Sequence, residues 1–387
     1  MADDSLTRRD FIKKAMIATA GIAVGVYGLS RLLHHDSDRL TPQGSQSTAW
    51  EWSKEAYHYI NRGDTVHCQV CPNQCAIREG GRSVCRNKIN HEGRLYTMAY
   101  GNPCAVHIDP IEKKPLFHFL PSTSAFSIAT AGCNFRCLNC QNWEISQRSP
   151  EETFNVELSP EQVVEKARDS GCRSIAYTYS EPTAWYEYMY DTSQKAASEG
   201  INNLWITNGY MNEDPLRDLC QYIHAANVDL KSFSDDIYHE LNSGMLEPVL
   251  HTLEVLKDEG VWFEITNLVI PSWTDDMGMI EEMCRWIHAH LGPDYPLHFS
   301  RFLPQYKLLH LPPTPYEILQ EARGLALDSG LHHVYVGNVP GAEEVNTYCP
   351  HCGKCIVERK GFFVTQNHIQ EGVCAYCGES IAGVWDA

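Results

Sequence analysis

The sequence predicts an α/β fold built on a parallel sheet. Short apolar runs alternate with amphipathic segments between residues 126 and 336, and repeated β-α units imply a parallel sheet covered by helices. The composition is globular, with 43% apolar and 21% charged residues over 387 positions. That allows a large core and excludes a disordered chain. Six or seven units are too few for the eight-unit barrel. Periodicity alone leaves a partial barrel and a doubly wound open sheet both standing.

Strands are expected over residues 126–130, 174–179, 204–207, 228–230, 262–270, 297–302 and 334–336. Helices are expected to start near Ser159, Pro182, Asn212, Glu247, Asp276 and Thr314. Ser159-Pro160-Glu161-Gln162 supplies a cap, a proline at the first helical position and a Gln at the third. Thr314-Pro315-Tyr316-Glu317 is expected to repeat the device. In either architecture the C-terminal ends of the strands form the reactive face.

The chain ends read differently. Thr7-Arg8-Arg9-Asp10-Phe11-Ile12-Lys13-Lys14 precedes an apolar run and looks like a twin-arginine export signal. An uncleaved membrane anchor is the alternative, although the run is shorter than the ~20 residues that span a bilayer comfortably. Residues 1–35 are therefore read as signal or anchor and 36–49 as a polar linker. Beyond them, 50–120 is expected to be a cysteine-rich module, 121–340 the core and 341–387 a C-terminal metal module. Lys+Arg of 31 against Asp+Glu of 49 leaves a net charge of −18. Such a chain is a poor binder of nucleic acid, and membrane contact is expected through the N-terminal segment only.

The 16 cysteines fall into groups. Cys133, Cys137 and Cys140 have C-x3-C-x2-C spacing. Three thiolates on one loop suit a [4Fe–4S] cluster with one iron left open to chelate a substrate group. No fourth ligand follows at zinc-like spacing. Cys68, Cys71, Cys75 and Cys85 form a second group, for which zinc, a second iron–sulfur cluster and disulfides are all chemically allowed. Cys349, Cys352, Cys374 and Cys377 form two C-x2-C knuckles, each followed by glycine, and read as a zinc-ribbon or rubredoxin-like site for zinc or iron. Cys355 and His351 lie close enough to compete for the ligand set. Cys104, Cys172, Cys220 and Cys284 stand alone, and Cys284 lies in an apolar helical stripe as a core residue.

With Gly132 before the triplet and Gln141-Asn142-Trp143-Glu144-Ile145-Ser146 after it, the sequence resembles the radical S-adenosylmethionine (SAM) superfamily. Asp109-Pro110-Ile111-Glu112-Lys113-Lys114-Pro115-Leu116 followed by His118-Phe119 is similar to the AmmeMemoRadiSam-system enzymes, relatives of pyruvate formate-lyase-activating enzyme. The resemblance covers roughly residues 60 to 385 and implies a partial (β/α)6 TIM-like barrel. It also implies a metal at the N-terminal cysteine set. Two departures stand out. Asn139 replaces the usual aromatic before the third cysteine, which bears on adenine contact, and Tyr179-Ser180 replaces a glycine pair.

The resemblance assigns further residues at the strand ends. Glu181 would meet the SAM ammonium through a charge-assisted bond. Asn208 lies in a Thr-Asn-Gly motif, and Asp229 and Lys231 would reach the SAM carboxylate and ribose. Asn267 is given a pocket role. For Glu181 a helix N-terminal acid, and for Asp229 and Lys231 a structural ion pair, are the alternatives. His298 and Arg301 are read as structural. The implied chemistry is reductive cleavage of SAM to a 5′-deoxyadenosyl radical that abstracts hydrogen from a substrate. A flavodoxin- or ferredoxin-like one-electron donor is an expected partner, together with proteins of the same system. A glycyl-radical activase is the second reading, and a non-catalytic iron–sulfur or zinc protein is the third. The signal points outward while the cofactor chemistry points to the cytoplasm.

Overall fold

A computed structural model describes residues 49–385. The segment expected to be a signal or anchor, and the linker before Ala49, lie outside the described residues. Among the described residues no helix is long and apolar enough to cross a membrane.

Two small antiparallel sheets come first. One joins β1 (Lys54–Glu55), β5 (Lys88–His91) and β6 (Arg94–Thr97); the other joins β2 (Tyr59–Asn61), β3 (Thr65–Cys68) and β4 (Ala76–Arg78). The central sheet follows, with β7 (Ala105–Pro110), β8 (Ser124–Ala129), β9 (Ser174–Tyr177), β10 (Asn202–Thr207), β11 (Ala225–Asp229), β12 (Trp262–Val269), β13 (Leu297–Arg301) and β14 (Val334–Gly337). All seven expected strands are present as β8 to β14. β11 begins three residues earlier than expected, because Ala225, Ala226 and Asn227 are too small or polar to register as an apolar run. β7 was not expected; it is an edge strand with Ile108 in solvent, antiparallel to β8.

Strand order narrows the architecture that periodicity left open. β8 to β14 lie side by side in sequence order, and each neighbouring pair is parallel. Right-handed crossovers between consecutive strands put every helix on the same face. A doubly wound sheet needs a reversal of order, and there is none.

The connecting helices are α1 (Trp143–Ser146) and α2 (Pro160–Asp169) after β8, then α3 (Tyr186–Ser198), α4 (Glu213–Cys220), α5 (Glu247–Asp258), α6 (Met277–Trp286) and α7 (Tyr316–Asp328). Their apolar stripes meet Phe126, Tyr177, Trp205, Val228, Phe263 and Val336 in the main core. Cys284 is fully buried in α6, as its stripe requires.

The expected cap at Ser159 is formed: its hydroxyl accepts from Gln162 N at 3.3 Å and Gln162 Oε1 accepts from Ser159 N at 2.8 Å. The repeat at Thr314 is not. α7 is capped at Pro315 without a side-chain bond. The Thr314 hydroxyl instead donates to Val269 O and accepts from Phe302 N at 3.0 Å, stitching the ends of two strands together.

The inner face of the sheet carries small and polar side chains, among them Ala125, Ser127, Ala176, Ala225 and Asn227. Its lower end, at the strand N-termini, is filled by Leu116, Phe119 and Leu120. Below that lies the C-terminal sheet of β15 (Thr347–Tyr348), β16 (Cys355–Lys360) and β17 (Phe363–Asn367), followed by β18 (Ile369–Gln370) and β19 (Val373–Cys374). Val384 pairs with Phe119, and Leu120 N donates to Val384 O at 2.7 Å. Buried Arg359 donates to Phe117 O at 2.9 Å. Glu264 accepts from His118 N at 2.7 Å and pairs with His298 Nε2 at 2.6 Å, so His298 is structural, as expected.

His333 packs against His118 with ring centroids 4.4 Å apart. Burial pushes His333 down to about 4, against ~6.5 for an ordinary histidine. Between those values the unfolded chain binds a proton that the folded chain refuses. The stability present above the upper value is lost as pH falls toward the lower one. His333→Gln should therefore flatten the drop in unfolding free energy between pH 7 and pH 5 by about 2 kcal/mol. Parallel denaturant titrations of the two proteins check this, and equal slopes would refute it.

Candidate active site at the strand ends

β8 runs out at Ala129, and the chain turns sharply into the cysteine triplet. The turn depends on Gly132, with φ of +96°. A Cβ there would sit 2.6 Å from both Cys85 O and Asn87 Oδ1. Asn87 Nδ2 donates to Ala131 O at 2.7 Å and to Ala184 O at 3.2 Å, so the N-terminal module braces the turn.

The triplet loop is pinned from several sides. Arg136 N and Leu138 N donate to Asn242 O at 2.8 Å and Leu241 O at 2.9 Å. Both acceptors belong to a π-helical stretch, Tyr238–Asn242, of the kind that recurs at functional sites. Each sulfur also meets a polar group. Phe135 N donates to Cys133 Sγ at 3.3 Å, Asn242 Nδ2 donates to Cys137 Sγ at 3.2 Å, and Ser146 Oγ lies 3.1 Å from Cys140 Sγ. Burial pushes the Cys133 and Cys137 thiols up, and the Phe135 and Asn242 donors offset part of that in favour of the thiolate that cluster ligation requires.

Glu181 follows β9 and is buried. Its Oε1 accepts from Thr183 N at 3.0 Å, Thr183 Oγ1 at 2.7 Å and Thr207 Oγ1 at 2.8 Å, and its Oε2 accepts from Asn208 N at 2.8 Å. Burial pushes its carboxyl up despite these donors. It caps the short 3-10 turn that follows while tying the end of β9 to that of β10. Asn208 continues the chain of contacts, since its Nδ2 donates to Asn134 Oδ1 at 2.8 Å inside the triplet loop.

Asp229 and Lys231 end the next strand and pair with each other at 2.8 Å. Burial opposes the charge on Lys231, but Asp229 and the Cys137 thiol outweigh it and hold the ammonium above its usual range. Asn267 shares a face of β12 with Phe263, Ile265 and Val269; its amide donates to Leu230 O at 2.8 Å, and its buried Oδ1 has no partner among the described residues. Thr266, paired in register with Asp229, is the residue that faces inward.

Tyr179 occupies one of the positions where a glycine pair was expected. It takes the left-handed conformation a glycine adopts freely, with φ of +65°. Its hydroxyl bonds Asp109 Oδ2, and Lys114 Nζ lies 4.5 Å from its ring centroid. Lys114 also donates to Asp109 at 2.6 Å, and burial pulls it down to about 8. Sequence reasoning quoted Asp109 and Lys114 only as part of a motif. It missed Asn87, Asn134 and Asn242, which carry no spacing signal because their partners lie tens of residues away.

The C-terminal four differ in geometry. Cys349 and Cys377 have sulfurs 3.7 Å apart, and Cys352 and Cys374 3.9 Å. A tetrahedral zinc with Zn–S bonds of about 2.3 Å places its sulfurs ~3.8 Å apart. All four donor atoms lie within 4.8 Å of one another. Cys355 and His351 stay outside the group; the thiol of Cys355 turns to Val357 O, and His351 faces Glu379. No disulfide is formed among the described cysteines.

Residues 127–287 match the radical SAM superfamily, and these residues contain the triplet and every strand end just described except those of β13 and β14. The chain belongs to the radical SAM superfamily. A protein of Methanocaldococcus jannaschii, MJ0808, is 47% identical over 331 residues, 85% of this chain and 98% of its own length. The pyruvate formate-lyase 1-activating enzyme of Escherichia coli is 25% identical over 211 residues, 50% of this chain and 85% of that enzyme. A radical SAM methyltransferase from Sphaerobacter thermophilus aligns over 79% of this chain and 85% of its own, with 12% identity and a TM-score of 0.45. The radical SAM superfamily implies a [4Fe–4S] cluster and SAM. The triplet fits the cluster: three thiols share one loop, and each sulfur has a polar neighbour.

The turn at Gly132 is open to test. Gly132→Ala should destabilise the fold by about 2 kcal/mol or more, since the new Cβ meets backbone and a buried amide in a conformation alanine avoids. Iron incorporated per chain should fall with it. Wild-type values of both iron content and unfolding midpoint would refute the role given to the turn.

Proposed function

We propose that this radical SAM chain is an enzyme of the AmmeMemoRadiSam type whose core, residues 121–340, is a partial (β/α)6 barrel opening at the strand C-termini. Residues 50–120 and 341–387 are its accessory metal modules. The observation that carries the reading is the cysteine triplet, held on one braced loop directly beyond the first parallel strand. Bound there, the cluster and SAM together supply reductive cleavage of the sulfonium to methionine and a 5′-deoxyadenosyl radical that takes hydrogen from substrate.

The chain's own residues hold that chemistry in place. Cys133, Cys137 and Cys140 ligate three irons. Glu181, Asn208, Asp229 and Lys231 lie beside the triplet, and the Asp229–Lys231 pair would offer one charge of each sign to the ammonium and carboxylate of SAM. Glu181 acts mainly by keeping two strand ends and the triplet loop in register, with one lone pair of Oε2 left for a ligand. Tyr179, Lys114, Ser127 and Thr266 line the inner face below, where a substrate would lie. The C-terminal four take zinc as a structural ion that closes the lower end of the sheet.

A second reading is an activase that places a glycyl radical on a partner protein. The 25% identity to the activating enzyme supports it. Either reading requires a one-electron donor.

Anaerobically reconstituted protein with a strong reductant is expected to release 5′-deoxyadenosine from SAM, and Cys137→Ala should reduce this to background. Full cleavage and full iron content in that variant would refute the role given to the triplet, and no cleavage by the iron-loaded wild type would overturn the enzyme reading and leave a non-catalytic metal protein. A glycine-radical EPR signal on an added partner would select the activase. Metal analysis should also find one zinc per chain that is lost in Cys349→Ser; retention of that zinc would refute the C-terminal assignment.

A further inference from the structure

Cys68, Cys71, Cys75 and Cys85 are brought together by the β3–β4 hairpin and the loop before β5. Cys68 N donates to Cys75 O at 3.1 Å, and Gln74 N to Cys71 O at 3.0 Å, folding the first three around a tight turn. Cys68, Cys71 and Cys85 are buried and Cys75 is half-buried. Burial pushes the thiols of Cys68, Cys71 and Cys75 up, and the neighbouring sulfurs of the set add to the effect.

Their spacing is not that of the C-terminal four. Among the described residues, the C-terminal site is the group of three or more ligands drawn within 4.8 Å of one another. The N-terminal four, like the core triplet, stand wider. A single zinc pulls its sulfurs into contact; an iron–sulfur cluster holds them apart, because its own iron and sulfide fill the centre.

The surroundings supply what a buried set of thiolates needs. Val84 N donates to Cys75 Sγ at 3.4 Å, and Ser83 Oγ lies 3.0 Å from Cys85 Sγ. Lys88, only 1% exposed, lies beside Cys68 and Cys85 while bonding Glu187 at 2.5 and 2.6 Å. A positive charge in so dry a place is costly unless negative charge faces it.

The set also touches the core triplet directly. Asn73, between Cys71 and Cys75, donates to Asn134 O at 2.9 Å. Arg136, between Cys133 and Cys137, donates to Val84 O at 2.5 Å and lies near Cys133 on one side and Cys75 and Cys85 on the other. Asn73 and Arg136 thus bridge the loops that carry the two groups. The C-terminal four sit at the other end of the strands.

We propose that Cys68, Cys71, Cys75 and Cys85 hold a second iron–sulfur cluster, set against the triplet to pass single electrons to its cluster. A reduced low-potential donor loses one electron, the second cluster takes it up and returns to its resting state on delivering it, and the first cluster gains it. No bond forms or breaks in the transfer. The relay rests on the radical SAM reading of the triplet; the second cluster does not.

The test uses the full chain, reconstituted anaerobically with iron and sulfide. Wild type should carry about eight irons and the Cys133→Ala/Cys137→Ala/Cys140→Ala variant about four, with the spectrum of an intact [4Fe–4S] cluster. No iron in that variant, or a second zinc in its place, would overturn the proposal, whether or not variants of the N-terminal four fold. The reduced wild-type EPR spectrum should differ from the sum of the two single-cluster variants through spin coupling; simple additivity would place the clusters too far apart for the role. Reduction of the triplet cluster by a reduced flavodoxin-type protein should slow at least tenfold in Cys71→Ser, and an unchanged rate would remove the relay. If SAM fails to perturb the wild-type EPR spectrum while the triplet variant keeps its four irons, the radical SAM reading fails and the second cluster stands.

Discussion

Glu181 is a carboxylate buried where two strand ends meet the cysteine loop. Taking such a group out of water is expensive unless protein donors replace the water. Four do so here: two from Thr183, one from Thr207 and one from Asn208. Each of them is thereby held in position, and Asn208 passes the constraint to Asn134 in the triplet loop. The site is therefore built around a satisfied buried charge rather than around the cysteines themselves.

The two accessory modules attach at opposite ends of the strands, which separates their roles. The N-terminal module reaches the triplet through Asn73, Asn87 and the carbonyl of Cys85, which leaves room at residue 132 for glycine alone. The C-terminal module reaches the bottom of the sheet through Arg359 and Val384, where Leu116, Phe119 and Leu120 already fill the inner face. A metal at the first end would lie on loops that contact the triplet loop. A metal at the second can act on the chemistry only by holding the fold closed.

Tyr179 shows how a departure from a family pattern is accommodated. A non-glycine residue in the left-handed region costs of order 1 kcal/mol or more. The Tyr179 side chain offsets this with a bond to Asp109 and contact with Lys114, both of which lie on the inner face. The strain is thus tied to a buried cluster of polar groups beneath the cysteine loop.

The sequence by itself determined the parallel α/β class, all seven parallel strands, the Ser159 cap and the grouping of the cysteines. These rest on local periodicity, capping chemistry and spacing, which a few consecutive residues specify. Tertiary structure decided the rest. Strand order chose the one-sided sheet, because handedness acts between strands and leaves no mark within them. It set Asn267 on the face of Phe263, Ile265 and Val269 and turned Thr266 inward, since which face of a buried strand is which depends on its neighbours. It moved Thr314 from a cap to a strand tie because two distant backbones offered better partners. It also set the spacing of three cysteine groups that look alike on paper, for sulfur-to-sulfur distance is fixed by the packing of the loops around them.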